Sequence, residues 1–190
     1  MKTIELLADE LAMIRSTDIR EFTEMVLSKV PEYFWRVPSS STGKYHPPQS
    51  NGPGGLVRHT QAVVYFADKL CDVFQVIGKE RDATLAGCIL HDILKYGDPK
   101  EMHTTKTHDF DSAVFVQSLI DSGDPQPWHN TLLGVIAWHM GRWTVYQKGR
   151  KRRKIFPEDY TKPELIGHLA DVISARKNVS LSHIEPEPKT

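Results

Sequence analysis

The chain has 190 residues, 39% of them hydrophobic and 25% charged, with 24 cationic side chains balancing 24 acidic ones. That length suits one well-cored domain, and a formal net charge of zero argues against a general polyanion binder. No apolar run approaches the roughly 20 residues that span a bilayer, so membrane insertion is not expected.

The N-terminal segment has apolar periodicity but is broken by Glu5, Asp9 and Glu10, unlike the uninterrupted core of a secretory signal. Cys71 and Cys88 both fall inside apolar helical patterns, where a free cysteine behaves as a small core side chain. Together these features lead us to expect a cytoplasmic protein. Turn-forming clusters divide the chain into segments of helical periodicity with almost no strand-like alternation, so the predicted class is all-α. Thr3 to Ile14 and Asp18 to Val30 carry apolar residues at three-and-four spacing, with Ser16 and Thr17 as N-cap candidates for the second and Pro31 as its stop. From Pro38 to Gly55 the composition turns to Ser, Gly, Pro and Asn, which predicts a long loop of the kind that often carries function.

Leu56 to Val73 reads as a helix whose apolar face of Val63, Phe66, Ala67 and Leu70 also includes His59. Arg81 to Leu94 is apolar through Leu85, Ala86, Ile89 and Leu90 before it delivers His91 and Asp92. Phe110 to Ile120 closes at the Ser122-Gly123-Asp124-Pro125 turn, and Thr131 to Met140 carries His139 near its end. Pro163 to Arg176, with proline in its first turn, sets Asp171 among Leu165, Ile166, Leu169, Val172 and Ile173. The tail from Ser182 is expected to fray.

An adjacent imidazole and carboxylate, His91-Asp92, offer a divalent cation a nitrogen ligand and a hard oxygen able to bridge to a second ion. His59, His139 and Asp171 likewise stand in apolar stripes. Burying such groups unpaired costs several kcal/mol apiece, which a shared metal centre offsets for all of them at once. Arg142 and Trp143, directly after His139, offer a phosphate fork and a flat stacking surface, which suggests a nucleotide. The run Lys148-Gly149-Arg150-Lys151-Arg152-Arg153-Lys154 holds six cations in seven positions. It reads as a phosphate-gathering flap, a contact to an oligonucleotide backbone, or a solvated loop, and neutral overall charge favours a small anionic substrate over long duplex DNA.

The order His59, His91-Asp92, Asp171 resembles the HD-domain superfamily of metal-dependent phosphohydrolases over roughly residues 54 to 176. The resemblance is carried by Gly54-Gly55-Leu56-Val57-Arg58-His59-Thr60, by Gly87-Cys88-Ile89-Leu90-His91-Asp92-Ile93-Leu94-Lys95, and by Ala170-Asp171 followed by Arg176. It implies a single HD-domain helical bundle over 54–181 that binds metal. Residues 1–53 would be an N-terminal helical extension with a Pro/Gly/Ser-rich loop, and 182–190 a tail. It further implies a binuclear centre in which His59, His91 and Asp171 serve one divalent ion, His108 and His139 the other, and Asp92 bridges, with His103 the alternative to His108. Manganese, iron, magnesium, zinc, nickel and cobalt are all compatible. His129 and His168 have no matching motif position and are expected to be surface or packing residues.

The implied activity is hydrolysis of a nucleotide phosphate ester or phosphodiester by metal-activated water. A GxSxG elbow, a catalytic-cysteine context and a P-loop are all missing from the sequence. Asp92, Lys95 and Arg142 are the catalytic candidates, with Lys95 alternatively a solvated helix-end lysine. Lys44, His46, Lys95, Arg142 and Trp143 are the substrate-binding candidates, because Lys44-Tyr45-His46 resembles a stretch preceding the first ligand in some family members. The same segment alternatively reads as an exposed loop. Two other functions fit the pattern: a mixed-valent di-iron oxygenase acting on a small polar substrate, and a non-catalytic nucleotide-binding module.

Overall fold

The computed structural model describes residues 3–43, 46–148, 151–154, 156–179 and 181, with the backbone alone along 145–148 and 151–154. Lys44 and the tail 182–190 lie outside the described residues.

The N-terminal periodicity forms a 3-10 turn, Thr3–Leu7, and then α1, Ala8–Ala12, instead of one helix reaching Ile14. Leu7 at the junction has φ −117° and ψ 20°, so the hydrogen-bond ladder restarts there. Helix α2, Thr17–Leu27, stops short of Val30 because the residue before Pro31 is pushed out of the helical region. Ser16 holds the N-cap position of α2 without capping through its side chain; its N–H donates to Asp82 Oδ2 at 2.7 Å instead. The loop that follows crosses the start of α3, Gly55–Phe74, at backbone contact. A Cβ on Gly55 would lie 2.1 Å from the Ser50 carbonyl oxygen, so only glycine permits the crossing.

Helix α4 runs Gly78–Leu90 and does not continue to Leu94. Beyond it the Lys95 N–H bonds to the Asp92 carbonyl and the Gly97 N–H to the Leu94 carbonyl, three-residue spacings that tighten the chain into turns. Helices α5, His108–Asp121, and α6, Trp128–Trp138, both begin before their expected starts. Helix α7, Lys162–Ser174, opens with a reciprocal capping box between Thr161 and Glu164 and with Pro163 in its first turn.

Helices α3, α4, α6 and α7 pack on one another, α5 lies on α6, and α2 lies on α4. Their shared core runs through Val63, Ala67, Ala86, Leu90, Leu132, Ile136, Ile166 and Ala170, and it takes in Leu7, Leu11, Ile14, Ile19 and Val26 from the N-terminal segment. Val135 on α6 is the meeting point: a Cβ on Gly87 of α4 would lie 2.7 Å from its Cβ, and one on Gly167 of α7 would lie 2.7 Å from its Cγ1. Two glycines therefore let α4 and α7 approach α6 more closely than alanine would allow.

The fold is all-α apart from one hairpin among the described residues. Strands β1, Val145–Lys148, and β2, Lys151–Lys154, pair antiparallel with Val145 opposite Lys154 and Lys148 opposite Lys151. The basic run expected to be a loop is thus largely a β-ribbon; its strands carry too few apolar residues to show a period-two pattern. No helix among the described residues is long and apolar enough to cross a membrane.

Candidate metal centre

Five segments deliver one cluster. His59 lies in the second turn of α3, His91 and Asp92 directly follow α4, His108 opens α5, His139 directly follows α6, and Asp171 lies in the last turn of α7. Ending α4 at Leu90 lets the chain turn His91 and Asp92 into the bundle. All six side chains except Asp171 are buried to within a few per cent.

Asp92 divides its two oxygens between two groups of imidazoles. Its Oδ2 lies 3.1 Å from His91 Nε2 and 3.6 Å from His59 Nε2, while its Oδ1 lies 3.2 Å from His108 Nε2 and 3.5 Å from His139 Nε2. Asp171 Oδ1 completes the first group at 3.0 Å from His59 Nε2 and 4.0 Å from His91 Nε2. Two triads result, His59-His91-Asp92 and Asp92-His108-His139, each with ligand atoms within 4.8 Å of one another.

Backbone carbonyls fix which imidazole nitrogen faces inward. His91 Nδ1 sits 2.7 Å from the Cys88 carbonyl oxygen, His108 Nδ1 2.7 Å from that of Thr105, and His139 Nδ1 2.8 Å from that of Ile136. A carbonyl only accepts, so each Nδ1 carries the proton and each Nε2 turns a lone pair toward Asp92. His59 reaches the same state through Ser174, whose Oγ lies 3.3 Å from His59 Nδ1 and donates to the Asp171 carbonyl oxygen at 2.9 Å. Inward lone pairs facing carboxylate oxygens repel unless a cation lies between them. His59 Nε2, His91 Nε2 and Asp92 Oδ1 are buried without a hydrogen-bond partner, so the donor set fits divalent metal.

Residues 56–176 match the model of the HD domain family. The chain belongs to the HD domain family. No curated protein and no solved structure matches it. HD proteins are mostly metal-dependent hydrolases, and the electrostatics of this HD site follow from its crowding. Burial alone would raise the Asp92 carboxyl, but His91 and Lys95, with the His108 and His139 imidazoles close beside it, hold it well below the carboxylate range. Burial is likewise outweighed at Asp171, which His59 holds low. Burial lowers His59, whereas at His91 the Asp92 carboxylate overcomes burial and raises it.

The substrate-side candidates divide by location. Lys95 is not a solvated helix-end lysine: it is 7% exposed, its Nζ bonds to Asp92 Oδ2, and that carboxylate raises it despite burial. The His46 ring packs edge-on against His59 with centroids 5.1 Å apart and leaves its Nδ1 buried without a partner. Burial, then the neighbouring His59 and Lys95, push its pKa down to about 3, so the ring is neutral. Arg142 and Trp143 lie on the short Gly141–Trp143 turn after His139, with the guanidinium 4.8 Å above the indole and both side chains exposed. His103 is exposed, and His108 occupies the cluster instead.

Sequence reasoning missed the supports. His168 Nδ1 bonds to the His139 carbonyl oxygen at 2.8 Å, steadying the segment that carries the ligand-like imidazole. Arg58 holds the loop behind His46, donating to the Gln49 carbonyl at 2.6 Å and the Pro53 carbonyl at 2.8 Å. His129 stacks on Trp128 with centroids 3.9 Å apart. A histidine one α7 turn from Asp171 and an arginine beside His59 were the available signals for the first two.

Proposed function

We propose that this HD protein is a binuclear metal-dependent phosphohydrolase acting on a phosphate ester of a nucleotide or on a phosphodiester. The observation that carries the reading is Asp92, with one oxygen toward His59 and His91 and the other toward His108 and His139. In this reading His59, His91 and Asp171 hold one divalent ion, His108 and His139 the other, and Asp92 both. Residues 54–181 form the metal-binding unit and 1–53 pack onto it. When bound, a pair of such ions lowers the pKa of a shared water and neutralises phosphoryl oxygens.

The chain's own groups do the rest. Lys95 holds the Asp92 carboxylate in place and keeps a positive charge at the cluster. His46 offers a neutral ring nitrogen beside His59, and Arg142 with Trp143 offers a guanidinium fork and a stacking face for the substrate. The cysteines are unsuited to nucleophilic attack, since burial pushes Cys71 up to about 12 and Cys88 well above its ordinary value. Metal analysis of the purified protein, followed by phosphate release from a nucleotide panel with manganese under anaerobic conditions, tests the proposal. Release without oxygen supports it; turnover that requires oxygen and a coupled iron spectrum would make the protein an oxygenase.

A further inference from the structure

Six of the chain's 24 cations stand between Lys148 and Lys154, so the rest of this neutral molecule is net acidic. No acidic residue occurs between Asp124 and Glu158, which leaves the ribbon without counter-charge from its own stretch of chain. Its register makes matters worse. Lys148 stands directly opposite Lys151, and Tyr146 opposite Arg153, so Tyr146, Lys148, Lys151 and Arg153 share one face of the pleat. Like charges directly opposed destabilise an antiparallel pair, and a two-stranded ribbon is marginal by itself. A polyanion laid on that face would remove the repulsion.

The ribbon also follows the metal centre closely along the chain. Val145 follows His139 by six residues, and the intervening turn carries the Arg142-Trp143 stack. Exposed aromatics flank the open end of the ribbon, Trp143 before Val145 at 55% and Phe156 after Lys154 at 45% exposure. Cations along the strands with exposed aromatics at their root suit unpaired bases on a phosphate backbone; a duplex offers the phosphates but keeps its base faces stacked. We propose that the β1–β2 ribbon, rooted at Arg142 and Trp143, captures single-stranded nucleic acid and that the ester cleaved at the metal centre is a phosphodiester of that strand.

This rests on the phosphohydrolase reading for its chemistry, although not for its binding. In the reaction the oxygen of water bonds to phosphorus as the bond from phosphorus to one sugar oxygen breaks. One water proton goes to the departing sugar oxygen and the other to the new terminal phosphate or to solvent. The products are a strand ending in phosphate and a strand or nucleoside ending in hydroxyl.

The test compares the full-length protein with K151S/R152S/R153S/K154S and with the charge-preserving K151R/R152K/R153K/K154R. Binding of a fluorescein-labelled single-stranded 12-mer is followed by anisotropy in chelator, where no hydrolysis runs. The serine variant should raise Kd at least tenfold and flatten the slope of log Kd against log salt by about three, at roughly 0.7 per lost phosphate contact. The charge-preserving variant should bind as the parent does. With manganese, all three should hydrolyse bis(p-nitrophenyl) phosphate within twofold of one another, and the parent should shorten the 12-mer faster than the serine variant. An unchanged Kd in the serine variant overturns the capture proposal, as does ribbon-dependent binding to phosphatidylserine vesicles without oligonucleotide binding. Equal affinity for the matching duplex overturns the single-strand preference. Hydrolysis of the small diester with no shortening of a bound 12-mer overturns the substrate assignment. Ribbon-dependent binding by a protein that hydrolyses neither compound leaves capture standing and removes the phosphohydrolase reading.

Discussion

Asp92 is the residue on which the site turns, because its two oxygens face separate groups of imidazoles and one of them also receives Lys95. Asn at this position keeps the shape and removes the charge that serves both sides. Asp92→Asn is therefore expected to strip bound metal and lower phosphate release by more than about 100-fold, beyond the 10–100-fold usual for groups that only support a ligand. Its circular dichroism should stay that of the parent, and turnover near the parental rate would end the binuclear reading. The imidazoles can be separated in the same way. His108→Ala and His139→Ala each remove a donor from the Oδ1 side alone, so elemental analysis should give close to one ion per chain in place of two. Two ions retained in both variants would exclude these residues as ligands.

At the scale of the elements, the N-terminal segment is fastened to the bundle through Arg81 at the start of α4. Its Nη1 donates to the Met13 carbonyl at 3.0 Å and lies 3.1 Å from Asp82 Oδ1, and its Nη2 pairs with Asp68. Arg81→Ala leaves Asp68 with Lys69 alone and Asp82 with the Ser16 N–H alone, and should cost about 1–3 kcal/mol, read by urea denaturation. Burial opposes ionisation of Asp68, but Lys69 and Arg81 outweigh it and lower the group. A lowered carboxylate contributes stability that is fully present above its unfolded pKa of about 3.9 and is lost as pH falls through the lower folded value. The parent's advantage over Arg81→Ala should therefore shrink only in strong acid. A second test concerns the close packing on Val135: Gly87→Ala overfills it and should destabilise by about 1–3 kcal/mol while weakening metal binding, since α4 and α6 both end in ligand-like residues. These supports explain what was legible in the sequence. The helices were readable because apolar spacing sets which face is buried, and His59, His91-Asp92, His139 and Asp171 interrupt it; His108 entered only through the family resemblance. The early end of α4, the roles of Gly87, Gly167, Ser174 and His168, and the pairing of the basic ribbon depend on neighbours far along the chain or on backbone geometry, which periodicity does not encode.

For the whole molecule, the apolar core and bound metal are separable contributions to stability. One apolar cluster extends from Leu7 to Ala170 and includes residues of α1, α2, α3, α4, α5, α6 and α7, so the bundle has a core independent of its centre. Small metal domains lack such a core and unfold when stripped; this chain should not. Metal that binds only the folded state still stabilises it, by about 2.7 kcal/mol when present at 100 times its Kd. At roughly 2–4 °C per kcal/mol for a chain of this size, chelation should lower Tm by about 5–10 °C while leaving the helical circular dichroism at 25 °C intact. Acid should produce the same loss of metal without chelator, because protonated imidazoles cannot ligate. Asp92→Asn supplies the control: with the shared carboxylate gone, its Tm should be nearly indifferent to chelator. Loss of helical signal at 25 °C on chelation of the parent would show instead that the five ligand-bearing segments are held together by metal and not by the apolar core.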